Sequence, residues 1–264
     1  MTDLLNIEKP TNETEFKIWL MSAHEYNIDE QYEYYYNTVV KKIKTDFEES
    51  NYWQSILKEL PEINDKYFIN KKVHLLTLSA TPIIHTKSLN SLIIKAFRKN
   101  ILDNKNFPQP PNDGWITPEN WFERINDIIR TTITVKYLDG VAFIIDEIKK
   151  ITSDHNYDFS SSFQAREEGY YAAHAGIVMP LSMPSENFLP IEKNLTIEIQ
   201  VTTEIQEIIK TLLHKHYEKN RKNTVPKDYK WQWDYKSPEF TSNYLGHIIH
   251  YVEGMIVEIR DKEK

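Results

Sequence analysis

Residues 195–203 read LTIEIQVTT, and EIQEIIKTLLHKHYEK (204–219) follows without a break. Apolar Leu195, Ile197, Ile199 and Val201 alternate with Thr196, Glu198, Gln200 and Thr202, the period of a strand with one face in a core. The next segment reads as a helix. This strand-then-helix succession recurs upstream. VHLLTLSATP (73–82) is a short β-rich run ended by Pro82, and HTKSLNSLIIKAFRKN (85–100) reads as an amphipathic helix. DIIRTTITVKYL (127–138) is β-branched and reads as a strand. Asp139-Gly140 turns the chain into the helix VAFIIDEIKKI (141–151), and GYYAAHAGIVM (169–179) is a further central strand. Between them, FPQPPNDGW (107–115) is a loop, and TPENWFERI (117–125) starts a helix with Thr117 as cap and Pro118 at its first position. Strands separated by helices imply an α/β domain.

The flanks are helical. Phe16, Trp19 and Leu20 begin one apolar stripe; Ile28, Tyr32, Tyr35, Val39, Ile43 and Phe47 continue at steps of three and four. A third helix covers Tyr52 to Tyr67, with Pro61 as a break or restart, and a last one runs from about Pro238 to Arg260. The Tyr32, Tyr34, Tyr35 and Tyr36 cluster reads as packing. The expected division is 1–70 helical, 71–219 core, and 220–264 connector plus final helix.

Composition excludes several classes. Across 264 residues, 32 basic and 39 acidic side chains leave 32 − 39 = −7, unlike a general DNA-coating protein. Cysteine is absent, which removes disulfides, thiolate zinc sites and Cys nucleophiles and suits a reducing cytosol. No apolar run nears the roughly 20 residues that span a bilayer, so no membrane partner is expected, and MTDLLNIEKPTNE lacks the marks of a signal peptide. Only six glycines occur, none in a Rossmann or P-loop pattern. If the chain handles nucleotides, side chains must grip the phosphates.

Three constellations could do so. Asp127 opens one strand and Glu198 shares a face with Gln200 in another; such a carboxylate pair suits magnesium, and equally a solvated strand edge. Lys87, Ser91 and Lys95, four apart, with Arg98 three further on, would line one helical face as a triphosphate grip or a plain basic face. AREEGYYAAHAG (165–176) places Gly169 at a turn and Tyr170 on a face with His174, a stacking platform or ordinary core.

In this order the segments resemble the synthetase domain of RelA/SpoT-like proteins. That family carries R-x-K-x-x-x-S-x-x-x-K, D-I-x-G-x-R, K-x-N-G-Y-x-S-x-H and E-x-Q-x-R-T. The counterparts here are HTKSLNSLIIK (85–95), DIIRTTI (127–133), REEGYYAAH (166–174) and EIQVTT (198–203), within roughly half the chain. The resemblance implies a nucleotidyltransferase-like mixed sheet flanked by helices. It implies transfer of pyrophosphate from ATP to a ribose 3′-OH, usually of GDP or GTP, and in a toxic branch to adenine nucleotides or the tRNA 3′ end. Asp127 would hold Mg²⁺, and Glu198 would share it or activate the acceptor hydroxyl. Lys87, Ser91, Lys95 and Arg98 would hold ATP phosphates. Tyr170 would stack on the acceptor base, with Arg166, His174 and Gln200 around the acceptor.

The departures are specific. The two adenine-clamping arginines of the family fall on His85 and Thr132, its glycine on Arg130, its loop serine on Ala172 and its E-x-Q-x-R-T arginine on Thr202. Arg130 shares a strand face with position 132 and would replace the missing clamp. No His-Asp dipeptide exists for an alarmone hydrolase, so synthesis alone is expected. KNRKNTVPKDYKWQWDYK (219–236) sets six cations against two acids among Tyr229, Trp231, Trp233 and Tyr235, a charge of +6 − 2 = +4 that could hold an RNA end or be a surface loop. His247, His250 and Glu253 share one face of the last helix, read as packing or a partner-facing stripe. Three readings stay open: alarmone synthesis, a tRNA-disabling toxin with an antitoxin partner, and a degenerate nucleotide sensor. A homo-oligomer is common in the family.

Overall fold

The computed structural model describes residues 8–77, 81–185, 189–211 and 230–262. The chain opens with α1 (Glu13–His24), α2 (Glu30–Glu49) and α3 (Asn51–Lys71). Caps set the first two starts. Asn12 Oδ1 accepts from Glu15 N at 3.0 Å while Glu15 Oε2 accepts from Thr11 N at 2.7 Å, and Asp29 Oδ1 accepts from Tyr32 N at 2.9 Å. Ile28 therefore precedes its helix, while Tyr32, Tyr35, Val39, Ile43 and Phe47 are buried as the stripe predicts. Pro61 does not break α3. It sits on the exposed side, where its missing N–H leaves a carbonyl to water rather than to the core.

The remaining elements are β1 (Ile84–Thr86), α4 (Leu89–Phe97), a π-helical turn (Arg98–Leu102), α5 (Trp121–Arg124), β2 (Ile129–Val135), α6 (Asp139–Asp154), β3 (Asp158–Ala165), β4 (Tyr171–Pro184), β5 (Pro190–Thr203), α7 (204–211), a 3₁₀ turn (Trp231–Trp233) and α8 (Pro238–Lys262). The five strands form one sheet in the order β1-β2-β5-β4-β3.

Several expectations are corrected. The described part of VHLLTLSATP is not a strand; Asn64 Oδ1 accepts from both Leu75 N and Leu76 N at 2.9 Å, satisfying the backbone from the side. The edge strand lies instead at Ile84–Thr86. Asp139 and Gly140 are the first turn of α6, not a turn before it, and α5 starts at Trp121, with Asn120 rather than Thr117 at the position before it. Strand β3 carries only exposed and half-exposed residues, so DFSSSFQA (158–165) shows no apolar alternation to read. Most of the 219–236 connector, including Tyr229, and the end of the 204–219 helix lie outside the described residues.

Contacts divide the chain into two compact units. The first takes residues up to 50, 84–130 and 178–198. There Phe16 packs on Phe97 at 5.5 Å between ring centroids, Tyr32 on Trp121 at 5.5 Å, and Tyr36 on Phe122 at 5.7 Å. The second takes 51–83, 131–177 and 199 onward, with α3 against α6 and α6 against β3. In it Arg260 Nη2 binds Asp139 Oδ2 at 2.8 Å and Nη1 binds the Tyr67 hydroxyl at 2.7 Å, tying the end of α8 to α3 and α6.

Candidate active site

In the first unit, Ser88 caps α4 by accepting from Ser91 N at 3.3 Å, so Lys87 lies just before the helix rather than on it. Its backbone is fixed from two sides. Lys87 N donates to Ile128 O at 2.9 Å, and the Tyr36 hydroxyl donates to Lys87 O at 2.8 Å. The side chain then meets Asp127, in the turn before β2: Lys87 Nζ to Oδ2 is 2.8 Å. Lys95, two turns along α4, reaches the other oxygen at 2.8 Å. Two cations thus grasp one carboxylate whose side chain is 14% exposed.

The electrostatics follow from this clamp. Burial would raise the Asp127 carboxyl, but the charge and hydrogen bonds of Lys87 and Lys95 outweigh it and pull the pKa down to about 2. Asp127 is therefore ionised at any physiological pH. Lys87 is held below the usual lysine range by burial, which exceeds the pull of Asp127, while Lys95 and Arg130 repel it further. Tyr36 is raised by burial and then by the Asp127 charge.

The clamp corrects the idea of one helical face. Lys87 and Lys95 converge on Asp127, while the Ser91 hydroxyl accepts from Ser88 Oγ at 2.9 Å. Arg98 closes α4 in regular helical geometry, and its Nε lies 3.7 Å from Asp103. Lys99 follows it in the chain. Much of it is exposed, yet partial desolvation first, then repulsion from Lys95, Arg124 and Arg98, holds its ammonium below the ordinary value. The spacing 87, 91, 95 extends to 99 by another four, so that residue was legible. Tyr36 was not, because nothing in a buried helical tyrosine announces which carbonyl its hydroxyl will meet.

Glu198 lies half-buried in β5, the strand beside β2. Further along β5, Gln200 is buried and its Oε1 accepts from Lys210 at 3.3 Å; Lys210 also binds Glu207 at 2.9 Å. Thr202, which stands where the family has arginine, is buried too and donates to Tyr171 O at 2.8 Å. That position has become a pin between strands.

In the second unit, β3 and β4 are joined by a five-residue loop, 166–170. Gly169 turns it with φ +74°, a conformation that side chains disfavour, and Gly169 N donates to Arg166 O at 3.0 Å. Arg166 N donates to Tyr170 O at 3.1 Å. Above this backbone the Arg166 guanidinium lies 5.3 Å from the Tyr170 ring centre. The Tyr170 hydroxyl meets His174 Nε2 at 2.9 Å. The loop thus brings together Arg166, Tyr170 and His174.

No protein-family model and no curated protein matches the chain. Solved structures do. A GTP pyrophosphokinase family protein from Streptococcus pneumoniae superposes with a TM-score of 0.55 at 15% identity, over 89% of this chain and 95% of that one. The fold is that of the alarmone synthetases. Small alarmone synthetase 1 from Bacillus subtilis, bound to its product pppGpp, gives a TM-score of 0.52 at 18% identity over 89% of this chain and 98% of that one. Another structure of that enzyme gives 0.50 at 17% identity over 80% and 93%. The synthetase fold, with its mixed sheet and helical extensions, is the one expected above.

Among the described residues no three acidic or histidine groups cluster to cage a metal. Magnesium commonly uses one or two carboxylates with substrate phosphates and water, and the ionised Asp127 would offer one hard oxygen ligand. The donors therefore fit an ion that arrives with phosphates, which would take over the lysines now held by Asp127. No helix among the described residues is long and apolar enough to cross a membrane.

Proposed function

We propose that the chain is an ATP-dependent pyrophosphokinase that transfers the β,γ-pyrophosphate of ATP to the ribose 3′-OH of a guanine nucleotide. The observation that carries this reading is the Lys87–Asp127–Lys95 clamp, built at the strand start where the synthetase motif requires its acidic residue. The acceptor oxygen attacks the β-phosphorus, the bond to the α–β bridging oxygen breaks, and AMP leaves. The hydroxyl proton passes to a carboxylate, the role given to Glu198. Phosphoryl transfer depends mainly on alignment and on neutralising phosphate oxygens. Lys87 and Lys95 supply that charge, and Arg130 would clamp the adenine of ATP. Magnesium, held by Asp127 with Glu198, would add charge neutralisation. Arg166, Tyr170 and His174 take the acceptor, and Gln200 joins them when Lys210 releases it.

The pppGpp found on the Bacillus subtilis synthetase supports a guanine acceptor. One observation favours a second reading, in which the acceptor is the tRNA 3′ end and the chain is a toxin held by an antitoxin protein. Trp233 and Tyr235 are 87% and 70% exposed, and Lys236 Nζ lies 5.7 Å from the Tyr235 ring, a platform for stacking single-stranded bases. Incubating the protein with γ-labelled ATP and separate pools of GDP, GTP, ATP and tRNA distinguishes them. Label on GDP or GTP with release of AMP is expected. Label on tRNA selects the toxin, label on a 3′-pyrophosphorylated adenine nucleotide an adenine alarmone, and binding without AMP release leaves a nucleotide sensor.

A further inference from the structure

The loop that carries Arg166 and Tyr170 is gripped from behind by α8. Gly169 and Gly246 touch through their backbones: a Cβ on Gly169 would lie 2.3 Å from Asn243 O, and one on Gly246 would lie 2.2 Å from Gly169 O. Neither position admits a side chain. The Gly246 carbonyl is itself held by Gln206 Nε2 of α7 at 3.2 Å. One residue on, His247 bridges both ends of the loop. Its Nε2 lies 2.9 Å from Glu167 O, and its Nδ1 lies 2.8 Å from the Tyr171 hydroxyl. A carbonyl oxygen can only accept, so Nε2 carries a proton and donates it to Glu167 O, while Nδ1 is paired with the Tyr171 hydroxyl. A turn further, the His250 ring lies parallel to Tyr171 with centroids 3.6 Å apart. Gln232 also hydrogen-bonds Glu167.

The contacts alternate along the chain. Residues 167, 169 and 171 go to α8, while the side chains of Arg166, Tyr170 and His174 bind one another. Nothing in these grips requires the apolar burial that ordinarily docks a helix. Indeed α8 buries Ser242, Asn243, Gly246 and Glu253.

We propose that α8 is a latch that holds the 166–170 loop in its acceptor-binding shape, with His247 as a positioning residue. The inference rests on the reading of Arg166 and Tyr170 as acceptor contacts. Its structural half, that α8 orders the loop, stands apart from that reading. Neither Gly246 nor His247 belongs to the synthetase motifs. Their role comes from the backbone-to-backbone approach and from the bridging imidazole.

The test pairs substitutions on one helix. Gly246→Ala collides with Gly169, whereas Gly254→Ala on the same helix meets only Leu138 at 3.9 Å. His247→Ala removes both bridges. His247→Gln can still reach the Glu167 carbonyl from the Nε2 position. Amide hydrogen exchange of the free protein, read on the peptide spanning 166–171, follows the Arg166 and Gly169 amides that the loop protects. Gly246→Ala and His247→Ala should speed that exchange by about tenfold or more, with Gly254→Ala like wild type and His247→Gln in between. With GDP as acceptor, the first two should raise the acceptor KM by about tenfold and leave the ATP KM within about twofold.

Unchanged exchange in His247→Ala overturns the latch whatever the activity. Faster exchange with equal rises in both KM values overturns its link to the acceptor. A wild-type protein that transfers nothing to any acceptor refutes the pyrophosphokinase reading, and the exchange result still decides the latch.

Discussion

Asp127→Asn removes the negative charge between Lys87 and Lys95 with little change of shape, and its effect on stability can be worked from the clamp. The carboxyl falls from its usual 3.8 to about 2 in the folded chain. That gap is worth about 2 kcal/mol at neutral pH. Lys87 returns part of it, because burial lowers its own pKa despite the pair. The net loss expected for Asp127→Asn is therefore about 1–2 kcal/mol. The sign runs with a depressed acid. The stabilisation is complete above 3.8 and is lost as pH falls through the window from 3.8 toward about 2. Urea unfolding of both proteins from pH 7 to pH 3 should show a constant difference down to about pH 4.5 and roughly half of it at pH 3. Transfer activity should vanish across the whole range, since the same oxygen is the proposed metal ligand. A difference near zero, or one that grows as pH falls, would refute the clamp. Full activity would remove Asp127 from the site.

Other perturbations probe neighbouring parts. Tyr36→Phe loses the hydrogen bond to Lys87 O and should cost about 1 kcal/mol in urea unfolding; an unchanged midpoint would show that Lys87 is fixed by Ile128 alone. Arg130→Ala should raise the KM for ATP and Tyr170→Ala the KM for the acceptor; equal effects on both substrates would undo either assignment. Glu253 is buried, and burial raises its carboxyl above the usual 4.5 against a weaker opposing pull from Thr203 and Gln206. Its folded form thus holds the proton more tightly, so stability falls as pH rises above 4.5. Glu253→Gln should accordingly be more stable than wild type at pH 7.5, by on the order of 1 kcal/mol, with the gap closing at pH 4. A variant less stable at pH 7.5 would mean that the carboxylate has a partner worth more than its desolvation.

The apolar stripes of α1 and α2 and the alternation in β5 were legible, because burial of one face imposes a period that survives in a single segment. Segments without such a period were not. VHLLTLSATP has strand-forming residues but takes its hydrogen bonds from the Asn64 side chain, and β3 is exposed enough to carry no alternation. Lys87 was assigned to a helix that begins two residues later, since Ser88 stops the helix by capping it.

Sequence alone therefore determined the residue types at the site, their order along the chain, and the α/β pattern that spaces them. Tertiary structure decided their pairing. Lys87 and Lys95 meet Asp127 across separations of 40 and 32 residues, and Gly246 meets Gly169 with no space for a methyl group. Periodicity reports only whether a side chain faces a core. Which charge opposes which, and which backbone touches which, is set by distances of a few ångström between segments far apart in the chain, where a hydrogen bond or a clash changes over less than one bond length.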